Sequence, residues 1–247
     1  MIADQAVRAE HYRAWNSPRP IAVHAEEETV DDILALVRAF RRQTHFCHIS
    51  SRYETERLTA AKEEGLPISI GVTPHHLWLT QADLPRLGGF GRMKPELETA
   101  ADRDALWRAV QNGVVDVIES DHAPHGIAEK ESENPPWGVP GLETTLPLLC
   151  QAVREGRLEL ARMVDLISAA PRRLWGVHTP PETYTLVDLD ATYIIERARL
   201  RTACGWSPFE GMQVCGAVRE VWIRGVQVYD GERVLVGAGF GQNGFAA

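Results

Sequence analysis

The sequence predicts an α/β fold, a run of parallel βα units followed by a small antiparallel β segment. Three observations predict it. Short apolar runs open near Ile21, Thr44 and Ile68, about 24 residues apart, with helical patterns between them. A fourth run, Val114-Val115-Asp116-Val117-Ile118, follows one further helix. Beyond Pro180-Pro181 the apolar positions change to an alternation of period two.

Residues 3–15 carry Ala6, Val7, Ala9 and Trp15 in a helical pattern, and Asn16-Ser17-Pro18-Arg19-Pro20 breaks it. Ile21-Ala22-Val23 is too short and too apolar for a surface strand, so it reads as a buried parallel one closing on His24-Ala25-Glu26. Residues 28–42 place Val30, Ile33, Leu34, Val37 and Phe40 on one stripe. Acids fill the first turn of that helix and arginines its last, as the helix dipole favours. A strand over 44–50 carries a histidine near its end, His48. Ser51-x-x-Glu54 is a capping-box pattern that opens a helix reaching about Glu64. Gly65 closes that helix, and the strand 68–72 runs into Thr73-Pro74-His75-His76.

Residues 77–98, rich in Gly, Pro and Leu, read as a long loop. Thr99-x-x-Asp102 caps a helix bearing Leu106, Trp107 and Val110, and Gly113 ends it before the strand 114–118. A second long loop, 122–141, precedes helices at about 143–155 and 159–169. Residues 184–189 and 218–224 alternate as antiparallel strands, and 226–229 with 233–236 read as a hairpin turning at Asp230-Gly231. The chain therefore divides into an α/β body, 1–181, and a β segment, 182–247.

The 247 residues, 44% hydrophobic, suffice for one sizeable domain with a real core. A net charge of −8 argues against a nucleic-acid or anionic-membrane surface. No apolar run approaches the roughly 20 residues of a membrane span, and the first residues lack a signal pattern. Cys47, Cys150, Cys204 and Cys215 are scattered with no C-x-x-C pair. They read as packing thiols in a reducing compartment, which points to the cytoplasm.

The chemistry centres on Glu119-Ser120-Asp121-His122-Ala123-Pro124-His125, just past the fourth strand. His24 and His48 end two earlier strands. Three ligand-type side chains, His24, His48 and Asp121, can thus converge at the C-terminal mouth of a parallel barrel, where chemistry sits. Neutral imidazole is a common zinc ligand, and a carboxylate can complete the shell or serve as a base. Spacing alone leaves a second reading open, in which His24 and His48 are core histidines bonded to backbone carbonyls. His45 reads as a structural residue inside its strand, His75 and His76 as loop packing, and His11 and His178 as incidental.

Val23-His24-Ala25-Glu26, Phe46-Cys47-His48-Ile49-Ser50, Thr73-Pro74-His75-His76-Leu77 and Ser120-Asp121-His122-Ala123-Pro124-His125 resemble, in this order, the motifs of dihydroorotases. Gly138-Val139-Pro140-Gly141-Leu142-Glu143-Thr144 and Ser207-Pro208-Phe209-Glu210-Gly211 continue the likeness over nearly the whole chain. Met93-Lys94-Pro95-Glu96-Leu97 and the Tyr229-Asp230-Gly231 turn resemble the dihydroorotase domain of the multifunctional animal pyrimidine-synthesis proteins.

The resemblance implies a zinc-dependent cyclic amidohydrolase on a (β/α)8 TIM-type barrel, interconverting N-carbamoyl-L-aspartate and L-dihydroorotate in pyrimidine biosynthesis. By that likeness His24 and His48 hold one metal, and Asp121 ligates the other and shuttles the proton. The metal activates the water that attacks the ring carbonyl. His125 and Lys94 contact the substrate carboxylate, and the backbone around Val139-Pro140-Gly141 walls the pocket. Other dihydroorotases carry Asn at the position of Lys94 and Arg at that of Glu98.

The departures are as informative. Family members are longer, open on a strand bearing His-x-His, and use a carboxylated, metal-bridging lysine. No His-x-His occurs here, and Lys62, Lys94 and Lys130 all fall in predicted helix or loop. The chain then corresponds to barrel strands five to eight plus the C-terminal β piece, and four parallel strands leave open edges. Three expectations follow: a half-barrel belonging to a longer protein, one that pairs with its own copy or a separate N-terminal half, or a metal-free scaffold docking an aspartate carbamoyltransferase. A hydantoinase or allantoinase is a further alternative, from which Lys94, His125 and the Pro140-Gly141-Leu142-Glu143 segment point away.

Overall fold

The computed structural model describes residues 2–245. It comprises two compact units, one running to Leu142 and including Arg201–Pro208, the other Glu143–Leu200 with the residues from Phe209 onward. The sequence places the change to antiparallel texture at 181/182; the first antiparallel strand begins at Tyr184, and the compact units divide after Leu142.

The first unit runs α1 (Gln5–Ala14), β1 (Ile21–Val23), α2 (Glu28–Phe40), β2 (Thr44–Phe46), α3 (Arg52–Glu63), β3 (Ile68–Val72), α4 (Pro74–Trp78), α5 (Leu84–Leu87), α6 (Ala100–Gln111), β4 (Val117–Ile118) and α7 (Ile127–Lys130). The strands form one parallel sheet in chain order, β1-β2-β3-β4. Val23 pairs with Phe46, Phe46 with Ile70, and Val72 with Ile118, so the C-terminal ends of the strands share one edge. Among the described residues β1 and β4 each have one strand neighbour, so the sheet is open.

Local chemistry explains the boundaries. Asp4 caps α1 by accepting from the Ala6 and Val7 amides. On α2 the stripe Val30, Ile33, Leu34 and Val37 is buried. Ser51 and Glu54 form the capping box of α3, and Thr99 and Asp102 that of α6. The fourth strand is shorter than the apolar run suggests. The Val114 and Val115 amides both donate to the Ala109 carbonyl, wrapping the end of α6 instead of joining the sheet. Asp116 then ties the strand in: its amide donates to the Ile70 carbonyl while its carboxylate accepts from the Ile70 amide and from Lys62 Nζ. The stretch 77–98 is not a bare loop, since it holds α5 and two 3-10 turns, Gln81–Asp83 and Gly88–Gly91.

The second unit holds α8 (Leu142–Arg154, from its second residue), α9 (Leu160–Val164), a π turn (Asp165–Ala169), α10 (Ala170–Trp175), β5 (Tyr184–Ile194), β6 (Gln213–Ile223) and β7 (Val226–Tyr229). The helix expected over 159–169 thus continues through the π turn to Trp175. The sheet is antiparallel in the order β5-β6-β7. Its first two strands exceed the alternating stretches because they pair on past a bulge, where the Asp188 carboxylate accepts from the Asp190 and Ala191 amides. The expected strand 233–236 does not form. Asp230 accepts from the Glu232 and Arg233 amides, curling the chain and leaving one isolated bridge, Tyr229 to Val234.

Candidate metal and substrate site

Strands in register deliver the residues that follow them to one edge of the sheet. His24 directly follows β1, and His48 comes two residues after β2. Their rings meet: His24 Nδ1 lies 2.5 Å from His48 Nε2. A hydrogen bond between imidazoles needs one N–H and one lone pair, so at most one of these two nitrogens carries a proton shared along the contact. Burial lowers the His48 pKa and the His24 ring adds to that, against opposing pulls from Asp121 and Glu119. His48 therefore sits as neutral imidazole, the form that ligates metals. Its Nδ1 is buried and has no hydrogen-bond partner in the structure.

Asp121 stands within electrostatic reach of both rings. Burial raises its carboxyl pKa, with Glu119 adding to the rise and the two histidines opposing it. His48 and Asp121 both hold left-handed backbone, φ 37° and 41°. Such conformations cost a non-glycine residue on the order of 1 kcal/mol and gather at functional sites.

Glu119 braces this arrangement from below. Its Oε1 accepts from His45 Nε2, and its Oε2 accepts from the His48 amide at 2.8 Å. His45 is fully buried, and its Nδ1 takes a hydrogen bond from the Ser69 hydroxyl. Burial alone would raise the Glu119 pKa, but the bonds from His45 and the His48 amide outweigh it and the net shift is downward. Gly71 makes the room: a Cβ there would lie 2.3 Å from the Glu119 carboxyl carbon. His45, Cys47 and Glu119 bring three ligand-type atoms within 4.8 Å of one another. They suit a metal poorly, because both His45 nitrogens are engaged and the Cys47 thiol is pushed up to about 12 by burial, Glu119 and Asp121.

Glu54 ties the first two strand-end loops together. Its buried carboxylate accepts from the Glu27 amide and from the Ser50 and Ser51 amides. The segments carrying His24 and His48 thus share one anchor.

The residues assigned to substrate by resemblance lie in the same unit. Lys94 is half exposed and its Nζ meets Glu26 at 2.8 Å. His125 donates from Nε2 to the Trp137 carbonyl at 3.0 Å. The Gly141 amide donates to His122 Nδ1, and a Cβ on Gly141 would fall 2.3 Å from the Ser120 carbonyl oxygen. A mostly apolar cavity of about 480 Å³ runs along β1 and reaches His24 and Glu26. All three lysines are engaged: Lys62 with Asp116 and the Val114 carbonyl, Lys94 with Glu26, and Lys130 with three backbone carbonyls.

No family model matches the chain. Its sequence is 42% identical to the multifunctional protein CAD of Squalus acanthias over 235 residues, 95% of this chain and 10% of that protein. It is 34% identical to the dihydroorotase of Pyrococcus furiosus over 217 residues, 85% of this chain and 51% of the relative. Over most of its length the chain is similar in sequence to dihydroorotases. It spans about half the length of the single dihydroorotases it matches. In structure, the chain superposes on the L-hydantoinase (dihydropyrimidinase) of Arthrobacter aurescens with a TM-score of 0.82 at 29% identity, covering 87% of this chain and 51% of the other. The inactive dihydroorotase-like domain of the Chaetomium thermophilum CAD-like multifunctional protein has the same fold, with a TM-score of 0.79 at 24% identity over 95% of this chain and 66% of that one. Among the described residues no helix is long and apolar enough to cross a membrane.

Sequence reasoning passed over Glu119, the bracing role of Glu54 and the burial of Lys130. A signal existed for the first: an isolated glycine in a buried strand, Gly71, marks a close approach by something else.

Proposed function

We propose that the dihydroorotase-like chain supplies the C-terminal half-site of a zinc-dependent cyclic amidohydrolase that interconverts N-carbamoyl-L-aspartate and L-dihydroorotate in pyrimidine biosynthesis. The observation that carries this reading is the convergence of His24 Nδ1 and His48 Nε2 beside Asp121. Two imidazole nitrogens and a carboxylate are a donor set that fits zinc. Zinc bound there supplies Lewis acidity towards a carbonyl and lowers the pKa of water.

The chain's own residues take the other tasks. The raised pKa of Asp121 suits a carboxylate that takes up and returns a proton. Lys94 and His125 receive the substrate carboxylate, and Lys94 exchanges its Glu26 partner for that anion. The Val139-Pro140-Gly141 backbone walls the pocket.

In this reading the remaining ligands come from outside these residues: from another part of a longer protein, from a second copy of the chain or from a separate N-terminal half. Support comes from the open edges at β1 and β4 and from the engagement of every lysine, which leaves none to bridge metals. The same lysine observation favours a second reading, a non-catalytic scaffold for an aspartate carbamoyltransferase. Four free thiols suit a cytoplasmic setting.

The test is zinc analysis and a dihydroorotate hydrolysis assay on the purified chain, with hydantoin and allantoin as comparison substrates. About one zinc per chain with little turnover is expected. Two zincs with robust turnover would overturn the half-site. Co-purification with a carbamoyltransferase and no metal would favour the scaffold.

A further inference from the structure

Lys130 is 1% exposed, yet no carboxylate meets it. Its Nζ donates to the carbonyls of Arg92 at 2.9 Å, Pro136 at 2.8 Å and Gly138 at 3.0 Å. An ammonium has three N–H groups, and three carbonyls take them. Buried lysines are rare unless something demands them, because desolvating the charge is costly. Here burial, with the nearby Arg92 guanidinium, brings the pKa down to about 8, so the group is still mainly charged at neutral pH.

The carbonyls belong to two segments. Arg92 precedes Lys94 by two residues, and Pro136 and Gly138 close the loop that carries His125. The Gly138 amide also donates to the Arg92 carbonyl, and the Arg92 guanidinium lies 4.3 Å over the Trp137 ring. Gly89 lets the first segment come this close, since a Cβ there would collide with the Lys130 carbonyl oxygen. A third segment joins through Trp206. Its ring stands 5.6 Å from Lys130 Nζ, and its indole N–H donates to the His125 carbonyl at 2.7 Å.

We infer that Lys130 is a positioning residue, whose ammonium clamps the Lys94 segment to the His125 loop and so sets the spacing of the two groups that receive the substrate carboxylate. The inference rests on the proposed dihydroorotase-like reading for the ligand, but not for the clamp. Three carbonyl dipoles converging on one point repel one another unless a cation holds them. An apolar side chain of the same length fills the space and leaves those carbonyls unpaired. The loops then separate while the sheet beneath keeps its own hydrogen bonds. A residue needed only for global stability would not act so locally.

The experiment uses the full chain, with Lys130→Met to remove the cation and Lys130→Gln as a second variant. Amide hydrogen exchange is read at Gly138 and Ala123, whose N–H groups bond to Arg92 and Val139, and at Ile70 in the sheet as reference. Calorimetry with N-carbamoyl-L-aspartate and with L-dihydroorotate reads the affinity. Lys130→Met is expected to speed exchange at Gly138 and Ala123 by about tenfold or more with Ile70 unchanged, and to weaken ligand affinity by about 10- to 100-fold with unchanged zinc content. Unchanged exchange at both loop amides, or unchanged affinity where the wild type binds, overturns the inference. If Lys130→Met does not fold, Lys130→Gln, which keeps N–H donors but not the charge, decides: faster exchange at Gly138 with Ile70 unchanged supports the clamp, and none contradicts it. A wild type that binds neither ligand counts against the proposed substrate, and the exchange result then judges the clamp by itself.

Discussion

His24 Nδ1 and His48 Nε2, from the ends of adjacent parallel strands, face each other at 2.5 Å. Two imidazole nitrogens aimed at one point, one of them on a buried ring with a lowered pKa, form the core of the proposed metal site. Glu54 and Glu119 hold the segments that carry the two rings.

Glu54 gathers amides from the segments after β1 and after β2. Glu54→Gln replaces one accepting oxygen with an NH2 facing N–H donors. It is expected to cost about 1.5–3 kcal/mol, the range for a lost hydrogen bond to a charged group. Urea denaturation measures the loss, and zinc affinity should fall in the same variant because both ligand-bearing segments share this anchor.

Gly71 and Glu119 occupy one space. Gly71→Ala should destabilise by about 1–3 kcal/mol through overpacking against the Glu119 carboxyl. In a Glu119→Ala background the same change should cost much less. A double-mutant cycle that returned additive effects would show that the two positions are not coupled.

His76, within electrostatic reach of His48, provides a pH dependence of stability. It is buried, donates from Nε2 to the Pro95 carbonyl and accepts at Nδ1 from the Thr73 hydroxyl, which fixes the neutral tautomer. Burial lowers its pKa to about 4. The unfolded chain takes up a proton near pH 6.5 and the folded chain only near pH 4, so the stability from this group is full above about 6.5 and is lost as pH falls towards 4. The loss is on the order of 3 kcal/mol. Denaturation midpoints between pH 4 and 7 should drop on acidification, and His76→Asn should flatten that slope. An identical slope in the variant would rule out His76 as its source.

The parallel body was legible because its signals are local. Apolar triplets, the Ser51–Glu54 and Thr99–Asp102 boxes and the α2 stripe each act within a few residues. The errors fall where a distant or competing hydrogen bond decides. Val114 and Val115 look like strand but satisfy the end of α6. Asp230 curls the chain and removes the strand expected over 233–236. For the candidate site, strand-end position singled out His24, His48 and Asp121 but left open whether the two histidines are ligands or core residues; the structure brings the three side chains near one another. Glu119 was passed over because its partners, His48 and His45, lie far back in sequence, and Lys130 because its carbonyl partners join a distant residue, Arg92, to the irregular Pro136–Gly138 stretch of its own loop. Only the folded chain brings those groups together.

The most direct measurement is a chelator-competition titration of zinc against the wild-type chain, His24→Ala, His48→Ala and Asp121→Asn. The account predicts that the wild type binds zinc, that X-ray absorption shows imidazole nitrogens at about 2.0–2.1 Å, and that each histidine change weakens affinity by about 100-fold or more. Zinc binding of the wild type that is unchanged in both histidine variants, or a wild type that takes up no zinc, would contradict it.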